Sequence, residues 1–501
     1  MSALTTPLFL GLDVGTQGCK AIVYNAKENK VVSRGSYSYE ILKSDVPGRA
    51  EQHPSLWIEG GVAALNEALK TVDRKSVKAL SISGQQHGFV PVDKSGQVIR
   101  NAKLWCDVES VKEAEDLSKQ WDWTLVPGFT ASKILWLKNN EPENFSKLAK
   151  VLLPHDYFNY YLTGRYCMEA GDASGTGLFD TAKRTYDSQR LGSIDSSLED
   201  KFPQLIGPNE VVGTLRAEVA QELGLAGDVQ VAPGSGDNQM SALGAGAVHE
   251  GTWVMSLGTS GTLFGLSTKP VLDPSGAVSP FCDATGSWLP LLCTMNCTTV
   301  TEEVRKSFGL DHETITALAE KEPAGSHGVN FLPYITGERT PNWPHSSGVI
   351  TGLRPGNMRP GLLYRAAMEG ATFSLLAGLK KMEGYGVKAQ EIRVVGGGSK
   401  NRLWRRIIAD SFQLPLRFPT EPESAALGAA LQAAAVHAGV ATPEFIDSHS
   451  PPLADLVSGT ASRGLHATVL SCLAVRQGKT LRVLLAGRLT SQLTRCTMDM
   501  L

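Results

Sequence analysis

Apolar positions open the chain as a run, Leu8, Phe9, Leu10 and Leu12, which breaks at Asp13 and at the turn residues Gly15, Thr16, Gln17 and Gly18. Apolar side chains then resume at Ala21, Ile22, Val23 and Tyr24. This pattern predicts strands over 8–14, 20–24 and 30–39, a helix over 55–71, and a strand in VKALSISG that ends at Gly84. Strands alternating with helices in this way predict an α/β protein. Farther along, GDVQVAPGSGDNQMSALGAG sets a short strand before a Gly-rich turn and a small-residue helix, and EIRVVGGGSKNRLWRRIIADSF repeats that order. Each turn brings backbone N–H groups to a helix start, where orphan donors and the helix dipole favour an anion or a polar ligand.

The first hairpin has an internal echo. Gly15-Thr16-Gln17-Gly18 is answered by Gly258-Thr259-Ser260-Gly261, each lying between apolar strands. Two equivalent domains, each offering such a hairpin, would grip a polyphosphate from both sides; two ordinary Gly-rich hairpin turns are the alternative. The first turn is not a P-loop, because Gly15 is too close to Lys20 and Ala21 follows where a hydroxyl is required. Asp13, at a strand end before Gly-Thr-Gln, fits a water-mediated Mg²⁺ contact with Thr16 and Gln17 near a terminal phosphate, or simply satisfies its own turn.

Three further stretches carry candidate chemistry. In GSGDNQ, Asp237 reads either as the N-cap of a helix over 238–246 or as a carboxylate base acting on a hydroxyl, with Asn238 beside it. SGQQHG ends a strand with Gln85, Gln86 and His87, side chains suited to a polyhydroxylated ligand. VVGGGSKN (394–401) departs from the dinucleotide fingerprint at Asn401, which leaves Gly397 and Gly398 as a shelf for a base or ribose with Asn401 reaching in.

Composition narrows the classes. With 48 Lys+Arg against 50 Asp+Glu the net charge is −2, which argues against a nucleic-acid partner held by a basic field, so an anionic ligand is met locally. The 8 cysteines make no CxxC pair and are expected as buried reduced thiols of a cytoplasmic protein. No signal peptide or membrane span is expected. From Ser458 the chain carries Arg463, Arg476, Lys479, Arg482, Arg488 and Arg495 against Asp499, an atypical basic tail (458–501) expected to be loosely packed.

Taken in order, LDVGTQGCK, SGQQHG, PHDYFNYYLTG, DASGT, PGSGDNQ, SLGTSG and GGGSKNRLW resemble the motifs of the FGGY family of carbohydrate kinases. The resemblance runs from about residue 8 to about 440. It implies two ribonuclease H-like domains with the active site in the cleft between them: an N-terminal sugar-binding domain over 8–246 and a C-terminal nucleotide-binding domain over 249–440. It further implies ATP and Mg²⁺ as cofactors, a sugar as the other small-molecule partner, and a monomer or homodimer. Asp237 would be the general base, and Gln86, His87 and Asn238 would hold the sugar. Gly15, Thr16, Gln17, Gly258, Thr259, Gly397, Gly398 and Asn401 would hold the nucleotide, with Asp13 toward the metal. SGQQHG, LWCD and PGFTASKILWL are similar to the patterns of the branch that phosphorylates D-xylulose, which implies transfer to a primary hydroxyl of a ketose, D-xylulose at its 5-OH. Gln86 and Cys106 depart from that branch's Met and Asn, and no Arg follows Asp107 in Val108-Glu109-Ser110, which leaves ribulose, sedoheptulose or a catalytically weak sugar sensor as alternatives.

Overall fold

The computed structural model describes residues 6–343 and 345–459; positions 460–501, nearly all of the basic tail, lie outside the described residues. The opening run forms β1 (Leu8–Val14), which turns into the antiparallel β2 (Gly18–Asn25) and then β3 (Lys30–Ser38). β4 (Val77–Gly84) lies parallel to β1 and is almost wholly buried, as a central parallel strand must be. Short strands β5 (Gly213–Thr214), β6 (Gln230–Val231) and β7 (Ser235–Gly236) complete a sheet of order β5-β6-β4-β1-β2-β3, with β7 also on β4.

The second sheet contains β8 (Thr252–Leu257), β9 (Gly261–Gly265), β10 (Ser279–Cys282), β11 (Trp288–Thr294), β12 (Glu391–Val395), β13 (Leu416–Pro419) and β14 (Leu453–Val457). Its order is β10-β11-β9-β8-β12-β13-β14. The path β3-β2-β1-β4-β6-β5 maps onto β11-β9-β8-β12-β13-β14, with each neighbouring pair parallel or antiparallel in the same place. The two Gly-Thr hairpins are therefore equivalent turns of two equivalent sheets. The second sheet also runs past the expected boundary at 440, because β14 supplies hydrogen bonds to the edge of β13.

Helices α1 (Pro54–Ala68) and α2 (Pro154–Thr163) cover the first sheet, α3 (Asp237–Gly244) starts directly after β7, and α4 (Thr298–Ser307), α5 (Arg402–Phe412) and α6 (Ser424–Ala438) belong to the second half. The predicted helix 55–71 ends as an α-helix at Ala68 and continues as a tighter turn through Leu69–Thr71. α6 joins the halves at near-backbone contact. A Cβ on Gly11 would lie 1.8 Å from Ala426 O, and one on Gly428 would lie 1.9 Å from Met240 O. The amide of Gln432 on α6 accepts from Ser81 Oγ at 2.7 Å and from Gly234 N at 2.9 Å, so the contact is keyed as well as close. Of the six described cysteines all are free, and all but Cys106 are buried. Among the described residues no single helix is long and apolar enough to cross a membrane.

Candidate active site

Three strand ends of the first sheet finish at one level, since Asp13 on β1 and Ser235 on β7 both register with Ser83 on β4. Ser83 Oγ donates to Asp13 Oδ1 at 2.7 Å. Burial pushes the Asp13 carboxyl up to about 6, against that hydrogen bond and the charge of Lys20.

Each hairpin is held from behind by its carbonyls. Gly15 O accepts from Tyr39 OH at 2.7 Å, Thr16 O from Gln52 Nε2 at 2.8 Å, and Gln17 O from Tyr39 N at 3.1 Å. In the second hairpin, Gly258 O accepts from Thr298 N at 3.0 Å and Thr259 O from Cys297 N at 3.1 Å, at the start of α4. A trans peptide points its N–H opposite its C=O, so this backing turns the N–H groups of Thr16 and Gln17, and of Thr259 and Ser260, outward, an arrangement able to meet an anion. The N–H groups of Gly15 and Gly258 instead close their own turns, onto Gly18 O and Ser260 O. The Thr16 hydroxyl is also committed, donating to Gln85 Oε1 at 2.9 Å and accepting from Trp105 Nε1 at 3.0 Å.

Between the halves lies a cavity of about 190 Å³ bordered by Gln86, His87, Trp105, Asp237, Asn238 and Arg339, among others. Gln86 and Asn238 are cross-linked: Asn238 Nδ2 donates to Gln86 Oε1 at 2.9 Å and to Asp237 Oδ1 at 2.8 Å, while Gln86 Nε2 donates to Gln239 Oε1 at 2.9 Å. His87 sits at φ 52° with its ring packed against Phe129 and Phe281, which also contact each other. Burial, helped by the charges of Arg339 and Lys133, holds its imidazole well below the usual range and therefore neutral.

Asp237 is not a helix cap. The helix begins at 237, its N-cap is Gly236, and Asp237 occupies the first helical position, where a carboxylate meets the favourable end of the dipole. Burial, with repulsion from Asp13 and Asp172, pushes its carboxyl up to about 8.

On the other side of the second hairpin a cavity of about 1100 Å³ is bordered by Gly258, Thr259, Gly397, Gly398 and Asn401. Gly258 borders both cavities. A Cβ on Gly397 would meet nothing within 4 Å, so the shelf is open there. Asn401 does not reach in freely: its Oδ1 caps α5 through Leu403 N and Trp404 N, and its Nδ2 donates to Thr316 Oγ1 at 3.0 Å. Its neighbours in sequence supplied the cap with donors, and those hydrogen bonds fix its orientation.

Several participants were absent from the sequence reading. Asp172, in DASGT, accepts from His87 N at 3.3 Å and from His155 Nδ1 at 2.8 Å. Burial opposes a proton on His155, yet Asp156 and Asp172 overcome it and push the imidazole up to about 9. Lys133 Nζ donates to His87 O at 3.1 Å, bracing the same turn from the other side. Trp105 and Arg339 complete the cavity wall. Glu109, where the expected Arg is missing, is drawn away into ion pairs with Arg49 and Lys103, each at 2.6 Å, and does not border the cavity.

Residues 8–244 match the N-terminal domain of the FGGY family of carbohydrate kinases, and residues 253–437 match its C-terminal domain. The chain is 39% identical over 444 residues to a xylulose kinase of Haemophilus influenzae, covering 85% of this chain and 90% of that protein. It is 34% identical over 447 residues to a xylulose kinase of Escherichia coli, covering 87% and 91%. A crystal structure of a xyloylose kinase from Brucella ovis superimposes with a TM-score of 0.87 at 32% identity, covering 96% of this chain and 99% of that one. Matched across both of its sheets and over most of the length of these relatives, the chain belongs to the FGGY family of carbohydrate kinases.

Proposed function

We propose that this kinase transfers the terminal phosphoryl group of ATP to the 5-OH of D-xylulose, with Asp237 as the general base. The observation that carries the reading is the position of Gly258, which borders both the small cavity with Asp237 and the large cavity with Thr259, Gly397 and Gly398. A sugar hydroxyl at Asp237 and a nucleotide on the glycine shelf would meet at that hairpin. The named relatives, which are xylulose kinases, support the choice of sugar.

In this reading Gln86, His87 and Asn238 bind the sugar hydroxyls. Asp237 accepts the proton of the attacking hydroxyl as the oxygen bonds to phosphorus; a positioned base typically contributes about 10²–10⁴-fold. A carboxyl whose affinity for protons lies near neutrality suits that task, because it is basic enough to take the proton and acidic enough to be free of one. The outward N–H groups of Thr16, Gln17, Thr259 and Ser260 hold the phosphates in line, so that positioning and charge stabilisation supply much of the remaining acceleration.

Mg²⁺ fits the donor set: Asp13 offers a partly buried carboxylate whose neighbour Asp237 is raised by burial and, in addition, by repulsion from Asp13, a repulsion that a hard cation relieves. Asp13 would hold the ion, through water, and the ion would neutralise charge on the transferred phosphate. Cytoplasmic operation, consistent with the free thiols, is part of the same proposal.

A coupled ADP-release assay across D-xylulose, D-ribulose, L-ribulose, sedoheptulose and glycerol tests the reading. The expected result is the highest kcat/KM for D-xylulose. A higher value for another sugar reassigns the substrate, and sugar binding without turnover of any member overturns the kinase reading in favour of a sensor.

A further inference from the structure

Arg339 reaches the sugar cavity from the second half, while the Gln86, His87, Asp237 and Asn238 walls come from the first. Among the described residues it is the only Lys or Arg on that wall, and it does not border the large cavity. Its loop is preset. The buried Glu338 accepts from Arg339 N and Met295 N, and Thr340 Oγ1 donates to Ala277 O at 2.9 Å. The guanidinium lies 5.9 Å from the Phe129 ring and donates through Nη2 to Ser279 Oγ at 3.1 Å, its one hydrogen-bond acceptor among the described residues. The Phe129 ring in turn packs on His87, so the guanidinium and the sugar-binding turn share one neighbour.

The chemistry of the substrate makes such a group useful. A 2-ketopentose closes its ring through the 5-OH, so a 5-OH free to be phosphorylated exists only on the open chain, where C2 is a bare carbonyl. A carbonyl oxygen accepts hydrogen bonds and donates none, whereas a guanidinium donates and accepts none. The other polar walls carry acceptors that suit hydroxyls: the Asp237 carboxylate, the side-chain amides, the Ser256, Ser260 and Thr262 hydroxyls. The Trp105 indole N–H is spent on Thr16 Oγ1, which leaves Arg339 as the obligate donor of the set.

We propose that Arg339 determines specificity by donating to the C2 carbonyl oxygen of an open-chain ketose, so that the cavity selects ketoses over the corresponding polyols. The inference rests on the ketose reading above. The hydroxyl of a polyol at C2 brings a proton that has no acceptor on Arg339, and its tetrahedral carbon presents a different shape to the fork.

The test compares D-xylulose with xylitol and D-arabinitol, the two alcohols made by reducing its carbonyl, in wild type, Arg339→Met, Arg339→Lys and Ser279→Ala. Arg339→Met is expected to lower kcat/KM for D-xylulose at least about 30-fold and that for the pentitols less than about threefold, with KM for ATP unchanged within about twofold, the scale on which a polar site rejects a mismatched partner. Arg339→Lys, which keeps a donor but loses the fork, should recover part of the ketose preference. Should Arg339→Met fail to fold, Ser279→Ala carries the test, with an expected three- to fivefold (roughly) fall in the ketose-to-pentitol ratio as the guanidinium loses its tether. An unchanged ratio in these variants, or an equal fall for ketose and pentitols, overturns the inference while D-xylulose turnover by wild type leaves the functional reading standing. Wild-type turnover of the pentitols without turnover of D-xylulose overturns both.

Discussion

The indole N–H of Trp105 donates to Thr16 Oγ1 across 3.0 Å, joining a wall of the proposed sugar cavity to the first Gly-Thr hairpin. Thr16 passes the contact on, donating to Gln85, whose amide in turn donates to Gln52 Oε1 at 3.3 Å; Gln52 backs the hairpin carbonyl. The residue therefore borders the proposed sugar site while its N–H braces the hairpin proposed to hold phosphate.

Trp105→Phe should separate these two roles. The aromatic wall survives and one neutral hydrogen bond, worth about 1 kcal/mol, is lost from the hairpin. The expected outcome is a rise of about fivefold in KM for ATP with the sugar KM changed less than about twofold. Initial-rate kinetics with each substrate varied in turn checks this, and a change confined to the sugar KM would mean that the N–H contact does not serve the phosphates.

Asp237→Asn should lower kcat by at least about two orders of magnitude while the sugar Kd, measured by calorimetry, stays within about threefold, because the amide keeps the hydrogen-bonding shape and loses the basic site. Wild-type kcat/KM for D-xylulose should climb between pH 6 and 9, since a carboxyl pushed up to about 8 in the free enzyme becomes free to accept a proton as pH rises through that value. The residual activity of the variant should lack this rise. A loss of less than tenfold would return Asp237 to a structural role.

The same carboxyl makes a stability prediction of opposite sign. Asp237 and Asp156, each pushed up to about 8, and Asp13, pushed up to about 6, bind protons more tightly when folded than in the unfolded chain. Their contribution is complete below the unfolded value of about 4 and is lost progressively as pH rises from there to the folded values of about 6 and 8. Wild-type Tm is therefore expected to fall between pH 6 and 9 in the absence of ligands. Asp237→Asn should melt about 2 °C or more above wild type already at pH 6, and the gap should widen up to about pH 8 and then level off, because the amide never carries the buried charge. Differential scanning calorimetry across this range decides, and a gap that shrinks with pH would contradict the assignment.

His87 and Gly175 should act as one unit. A Cβ on Gly175 would lie 2.0 Å from His87 Nδ1, so Gly175→Ala must displace the imidazole. Both His87→Ala and Gly175→Ala are expected to raise the sugar KM about tenfold or more and to leave KM for ATP within about twofold, a loss of one to two hydrogen bonds to the sugar. Equal effects on both substrates would show that the turn supports the fold and does not read the sugar.

Much of this protein was legible in local pattern. The alternation around Asp13 marked β1 and β2, and the repeated Gly-Thr turn announced two equivalent sheets. Gly-rich turns before small-residue helices located Asp237 and the shelf at Gly397, because strand, turn and helix signals act over a few residues and are written where they act. What distant segments do to one another was not legible. Asp237 read as a cap or a base until the chain path gave the cap position to Gly236, and that Asn401 caps α5 while bordering the large cavity was not visible in the sequence. His155 and Asp172 became a buried pair, Trp105 met Thr16, and Arg339 crossed from the second half onto the sugar cavity only through folding. Gly11 reads as an ordinary strand glycine, yet tertiary contact with Ala426 is what requires it. Local sequence determined the strands, turns and helix starts because backbone propensity and periodicity are short-ranged. Tertiary structure decided hydrogen-bond partners, proton affinities and which side chains share a cavity, because these depend on burial and on distances between residues far apart in the chain.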